Sequence, residues 1–310
     1  MPAKVKVQQV SRVGLAPLVE MAEHLRASLP GFEDLQPAEG RPSVHSDLAH
    51  DFEHLARHDA DGFLTATIDD NVVGCIVSFV RSRQLTLAQL WLLPDDNANA
   101  VGELLLKRAL AFGERSGAQD ACAHLVGHAG LHALAFRFGL RPRFPVYRLL
   151  LSDAQARVAG RELAKLLPGA EATAQGLERR SAARELERLD RLARGVARPM
   201  DHEYWLNQRR LRLALVREGQ RVAAYAYGGP GQCGPVAAST QEAGLAALGW
   251  ALEFAAEGAG RPVEVLVPAP FESAMETLLD AGAVCRAATT WMSRHPSQLD
   301  RYLLASHSLL

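Results

Sequence analysis

The sequence has no excess charge of either sign. Its 34 Lys and Arg stand against 35 Asp and Glu, a formal net charge of −1 at pH 7. No basic stripe is left for a phosphate backbone, so nucleic acid is not an expected partner. Cysteines number only four, and none forms a C-x-x-C pair, which argues against zinc-ribbon and thioredoxin-like sites. Cys75 and Cys122 sit inside apolar runs and read as buried thiols. No stretch of 18 apolar residues occurs, so no spanning helix and no membrane partner are expected. Met1-Pro2-Ala3-Lys4 is not followed by an apolar core of the signal-peptide kind, which leaves a cytoplasmic location as the default expectation.

What is present is ordinary globular material, 48% hydrophobic and 22% charged over 310 residues, enough for two or three cores. Alternation over Val5–Val10 predicts a strand, and the pattern Leu15, Leu18, Val19, Ala22, Leu25 a helix that stops at Pro30-Gly31. Residues 32–46 read as loop, and a second helix, capped by Asp47, runs past Leu55. Three strands follow at 62–68, 72–80 and 86–93, turned at Asp69-Asp70-Asn71. Then come a long amphipathic helix from Ala98 to Arg115, a strand at 120–126, a short helix closed by Gly139, and a strand at 146–151.

After a helical stretch at 153–170 the same order begins again. A strand is expected at 172–178, helices at 182–196 and 201–209, and a hairpin at 211–216 and 222–227. A strand at 233–238, a long apolar helix at 241–258, a strand at 263–267, a helix closed by Gly282 and a strand at 287–292 complete it. An internal repeat of about 150 residues follows. The expected division is 1–152, a helical connector 153–170, and 171–310. Each half reads as α/β, a mixed and mainly antiparallel sheet flanked by helices.

In both halves a strand runs through a short loop into the long helix. The segments are Leu92-Leu93-Pro94-Asp95-Asp96-Asn97-Ala98-Asn99-Ala100-Val101-Gly102 and Val236-Ala237-Ala238-Ser239-Thr240-Gln241-Glu242-Ala243-Gly244-Leu245-Ala246. Small residues occupy the ninth and eleventh places of both. They let a ligand approach the backbone, and helix N-terminal N–H groups favour a pyrophosphate.

This resembles the acyl-CoA-binding segment of the GNAT superfamily of N-acyltransferases, whose pattern is Q/R-x-x-G-x-G/A. Gln241-x-x-Gly244-x-Ala246 satisfies it, while Asn97-x-x-Ala100-x-Gly102 satisfies only the last place. The resemblance implies two tandem acyl-CoA N-acyltransferase-like domains. It implies acetyl-CoA or another acyl-CoA as cosubstrate, and a small-molecule or peptide amine as acceptor. It also implies cofactor contacts from Leu92, Leu93, Asn97, Ala100 and Gly102 in the first copy. In the second they would come from Val236, Ala237, Ala238, Gln241, Gly244 and Ala246. In that family the thioester lies between splayed strands and a strand N–H polarises its carbonyl. The amine attacks directly, so no nucleophilic Ser or Cys is needed.

The family often carries N-x-x-A-x-x-x-Y-x-x-x-G-F near the end of the domain, and the tyrosine protonates the departing thiolate. Here the corresponding places hold His128, Leu131, Ala135, Gly139 and Leu140, and Phe271, Ala274, Leu278, Gly282 and Ala283. Neither copy has the tyrosine. Other acid–base candidates are Tyr225 and Tyr227, which share a strand face, and His202 in the cluster Asp201-His202-Glu203-Tyr204. Each also reads as packing. Gln89 and Trp91 share a strand face and could line an acceptor cleft. His50, His54 and His58 fall on one helix face, which reads as a solvated row, and no metal is expected. Two functions remain: an N-acetyltransferase, leaning on the second copy, or an inactive paralogue that binds CoA or another ligand and acts structurally or by regulation. The chain is expected to be a monomer or homodimer.

Overall fold

The computed structural model describes residues 5–10, 14–35, 46–94, 97–126, 129–167, 179–208, 210–257, 260 and 262–309. The strand expected at 172–178, His45 and His128 lie outside them, as does the side chain of Asp47. The chain divides into two compact units. One is Met1–Arg143 with Thr290–His295 and Leu310; the other is Phe144–Thr289 with Pro296–Leu309.

The first unit begins with β1 (Lys6–Gln9), α1 (Leu15–Ala27) and α2 (Ser46–His58). β2 (Phe63–Ile68), β3 (Asn71–Arg81) and β4 (Gln84–Leu92) form an antiparallel meander. The turn between β2 and β3 is two residues long. Asp69 and Asp70 both have positive φ, at 49° and 63°, the primed geometry that matches strand twist. α3 (Ala98–Arg115) crosses back, and β5 (Asp120–Leu125) adds parallel to β4. α4 (Ala129–Arg137) follows. The core lies between α3 and one sheet face, where Leu105, Leu106, Ala109 and Leu110 meet Ile76, Leu85, Leu87, Ala121 and Ala123.

The second unit repeats this plan. β6 (Arg141–Leu151) belongs to it from Phe144 onward and pairs antiparallel with β10 (Val263–Pro268). α5 (Asp153–Ala164), α6 (Arg179–Arg194) and α7 (Pro199–Asn207) precede β7 (Arg212–Glu218), β8 (Arg221–Gly229) and β9 (Gln232–Ala238). α8 (Gln241–Ala255), α9 (Glu272–Asp280), β11 (Val284–Ser293) and β12 (Tyr302–Leu303) complete the chain. β7, β8 and β9 are an antiparallel meander, and β10 lies parallel to β9. α8 is apolar nearly all round and buried nearly all round, as such a helix must be.

Two features differ from the sequence boundaries at 152 and 170. First, α5 is no linker. It opens on a capping box between Ser152 and Gln155 and packs on α8. A β-carbon on Gly160 would sit 2.8 Å from the carbonyl oxygen of Gly249, so the two backbones meet with no side chain between them. Second, the last strand of the first unit is the end of β11. Thr290, Trp291, Met292 and Ser293 pair antiparallel with Leu125, His124, Ala123 and Cys122. Arg143 fastens it, donating from Nη2 to the carbonyls of Ser293 and Arg294 at 3.1 and 2.7 Å.

Candidate functional site

β4 and β5 stay parallel for only four pairs, from Gln84↔Asp120 to Leu87↔Ala123. Opposite β3 the register slips, because Val77 faces Gln89 while Ser78 faces Leu87; Ala88 is the extra residue. Such a bulge bends and twists the strand that carries it. Among the described residues no strand pairs with the β5 side of β4 beyond Leu87. The opened strand leads toward α3. Helix α3 has no side-chain N-cap and no acidic residue in its first turn, and Asn97, Asn99 and Ala100 are exposed. Among the described residues the Val101 N–H donates to the carbonyl of Asn97 as the helix begins, and the N–H groups of a helix's first turn have no partner within the helix itself.

On the sheet face away from α3, β4 presents Gln89 and Trp91, and the Trp91 Nε1 donates to Oε1 of Gln89 at 2.7 Å. His124 on β5 lies on that same face by alternation, since its neighbour Ala123 packs in the α3 core. Burial drives the His124 pKa down to about 3. It is therefore a neutral imidazole at pH 7.

The second unit has the same strand-to-helix junction in another state. β9 and β10 pair at Gln232↔Glu264 and Cys233↔Val265. Beyond that point β9 carries its own bulge at Gly234-Pro235 and pairs instead with β12, Val236 with Leu303 and Ala237 with Tyr302. The Ala238 N–H donates to the carbonyl of Arg301. At the start of α8, Thr240 Oγ1 accepts from the Ala243 N–H at 3.2 Å, and Glu242 stands in the first turn. A carboxylate there repels a phosphate.

The architecture matches solved structures along almost its whole length. A candidate acetyltransferase from Pyrococcus horikoshii superposes with a TM-score of 0.74 at 14% identity, over 99% of this chain and 96% of that one. A GCN5-related N-acetyltransferase from Sphaerobacter thermophilus gives 0.62 at 13%, over 96% of each. A tandem GNAT protein from the clavulanic acid biosynthesis pathway gives 0.52 at 14%, over 95% of this chain and all of the other. The chain has the GNAT fold. No protein-family model and no curated protein matches it in sequence.

Set on the GNAT frame, the residues singled out from sequence separate. Leu92 and Leu93 are half-buried at the end of β4, and Asn97 and Ala100 are exposed at the start of α3. Gly102 is buried, and a β-carbon on it would sit 2.9 Å from Leu92 and 3.1 Å from Leu134, so its smallness serves packing. Gly244 is alike: the Phe271 ring stands 2.9 Å from where its β-carbon would be. Ala246 is wholly buried in the core of its unit. Gln241 is exposed and accepts from Ser273. Val236, Ala237 and Ala238 use their backbones on the chain's own C-terminal segment.

Tyr225, Tyr227 and His202 do come together, but in a sealed core. Tyr225 donates to Asp190 Oδ1 at 2.6 Å. His202 holds Tyr227 through Nδ1 and Asp190 through Nε2, both at 3.0 Å. Asp190 Oδ2 also accepts from the Arg198 N–H, and Arg198 Nε donates to Asp201. All of these side chains are nearly or wholly buried. Burial, then Asp190, pushes both tyrosine pKa values well above 10, so the hydroxyls stay protonated. None of these side chains, named from sequence as acid–base candidates, faces solvent here.

The sequence did not single out His124. Its signal was a lone imidazole alternating with Cys122 in a strand of small residues. Among the described residues no group of three or more His, Cys, Asp or Glu is arranged to hold a metal. His54 is buried while His50 and His58 are exposed, so the histidine row spans both environments. No helix among the described residues is long and apolar enough to cross a membrane.

Proposed function

We propose that the chain is an acyl-CoA-dependent N-acetyltransferase whose transfer site lies in the first unit. One observation carries this reading: β4 parts from β5 at a bulge and leads to a helix start that bears no acidic residue in its first turn. The α3 N-terminus would take the pyrophosphate of an acyl-CoA, with Asn97 and Ala100 beside it. The β4 backbone beyond Leu87 would face the acyl arm, with Leu92 and Leu93 alongside. An N–H there is placed to polarise the thioester carbonyl.

The acceptor is an amine of a small molecule or peptide, approaching from the face of Gln89, Trp91 and His124. Its nitrogen bonds to the acyl carbon as the carbon–sulfur bond breaks, and the proton lost by nitrogen balances the one taken by the thiolate. His124 does not serve as base: with a pKa of about 3 it is too weak by more than three units at pH 7. Ala135 supplies no hydroxyl for the thiolate, so protons pass through solvent or the acceptor itself.

Calorimetric titration of the full chain with acetyl-CoA, followed by a thiol-release assay over a panel of amines, tests this. Binding near one equivalent and amine-dependent release of CoA are expected. A chain that binds no acetyl-CoA would sink the proposal.

A further inference from the structure

The groove of the second unit is already filled. β12 enters the gap where β9 leaves β10, antiparallel to β9 at Ala237↔Tyr302 and Val236↔Leu303. On its other side the Leu304 N–H donates to the carbonyl of Leu266 in β10, at 3.3 Å. One short segment thus bonds both splayed strands.

Its side chains are fitted as well as its backbone. The Tyr302 hydroxyl accepts from Arg194 Nη1 at 3.0 Å and from Arg198 Nη1 at 3.3 Å. The Arg194 guanidinium also stands over the Tyr302 ring. Leu303, Leu304 and Leu309 are fully buried. Arg301 Nη1 donates to the carbonyl of Ser239 at 2.8 Å, and Gln232 Nε2 to that of Ala305 at 3.2 Å. Gly234, with φ of 127°, has no β-carbon to collide with the Leu304 carbonyl.

We infer that the second unit carries a binding groove for an extended peptide, and that its occupant is the chain's own segment Leu299–Leu309, held by strand pairing and by Tyr302 between two arginines. The groove is the counterpart of the one assigned to acyl-CoA in the first unit, and in that comparison the inference rests on the proposed function. A strand added between two strands gains main-chain bonds along both edges, the same bonds the amides of an acyl-CoA arm would otherwise need. Occupancy by the strap therefore excludes acyl-CoA from the second unit.

Hydrogen exchange on the full chain, with and without acetyl-CoA, reads this directly. Residues 232–238 and 299–309 are expected to exchange slowly and equally in both, while slowing on ligand addition is confined to β4 and α3. Faster exchange of 299–309 on addition of acetyl-CoA, or added protection of β9 and the start of α8, overturns the inference. A chain ending at Gln298, with a synthetic peptide of residues 299–310 as probe, gives the second arm. The peptide should bind one to one and restore slow exchange to 232–238, and a Tyr302→Ala peptide should bind at least tenfold more weakly. A folded truncated chain that ignores the peptide, or whose β9 is equally slow without it, also overturns the inference. If the truncated chain does not fold, full-chain exchange decides. A full chain unresponsive to acetyl-CoA counts against the proposed function, while the peptide arm still tests the strap.

Discussion

The Tyr225 hydroxyl and the Asp190 carboxylate meet at 2.6 Å with no water-accessible surface on either side chain. Asp190 also takes the Arg198 N–H and faces His202, so the carboxylate is the hub on which α6, α7 and β8 converge. Tyr225→Phe removes one bond to a carboxylate and should cost about 1.5–3 kcal/mol of stability. Asp190→Ala strands several donors and should cost about 3–5 kcal/mol. Chemical denaturation measures both, and acetyl-CoA affinity should stay within twofold for Tyr225→Phe. A large loss of turnover with stability unchanged would restore the tyrosine to a catalytic role.

Buried Arg81 and Asp59 form a two-pronged ion pair at 2.9 and 3.0 Å in the first unit. Breaking it from one side leaves a buried charge, so Asp59→Ala should destabilise by about 3–5 kcal/mol. Replacing both residues with apolar ones of similar size should cost much less than the sum of the single changes. A double-mutant cycle by urea unfolding checks this; additive losses would show the pair to be uncoupled.

The repeat was legible because each element has its own period. The helix read from sequence as Ala98–Arg115 has those same bounds in the structure, and the three-strand meanders follow from alternation broken by turn residues. Long-range choices were not legible. Nothing local in Thr290–Ser293 says that these residues complete the first unit, since any alternating strand pairs equally well in either. Gln241, Gly244 and Ala246 match a motif by type, but no local pattern shows that Phe271, 27 residues past Gly244, packs against the glycine. The two-residue strand Tyr302–Leu303 is too short for any period to show.

Below pH 6.5 the His124 imidazole should weaken the protein. The unfolded chain takes up a proton near 6.5, and the folded chain resists it until about 3. Stability contributed by the neutral ring is thus complete above 6.5 and falls as pH drops toward 3, by about 1.4 kcal/mol per pH unit at most. Urea midpoints at pH 7 and pH 5 should differ in the wild type and differ less in His124→Asn. Equal slopes in both would mean that His124 protonates freely when folded.

A glutamate at position 100 separates the two jobs of the α3 N-terminus. Ala100 is exposed and third in the helix after Asn97. Glutamate at this place favours the helix, because its charge meets the positive end of the dipole and can bond back to the cap, worth about 0.3–1 kcal/mol. The same charge stands where a pyrophosphate would sit and repels it. Ala100→Glu should therefore hold or raise the melting temperature while weakening acetyl-CoA at least tenfold, and Ala100→Gln should bind nearly as the wild type does. Glu242→Gln, which lifts the like charge from α8, should change affinity by less than twofold if the strap keeps the second groove closed. Calorimetry on the three variants assigns the site. Tighter binding by Glu242→Gln, with Ala100→Glu left at wild-type affinity, would move it to the second unit and contradict the open-strand reading of β4.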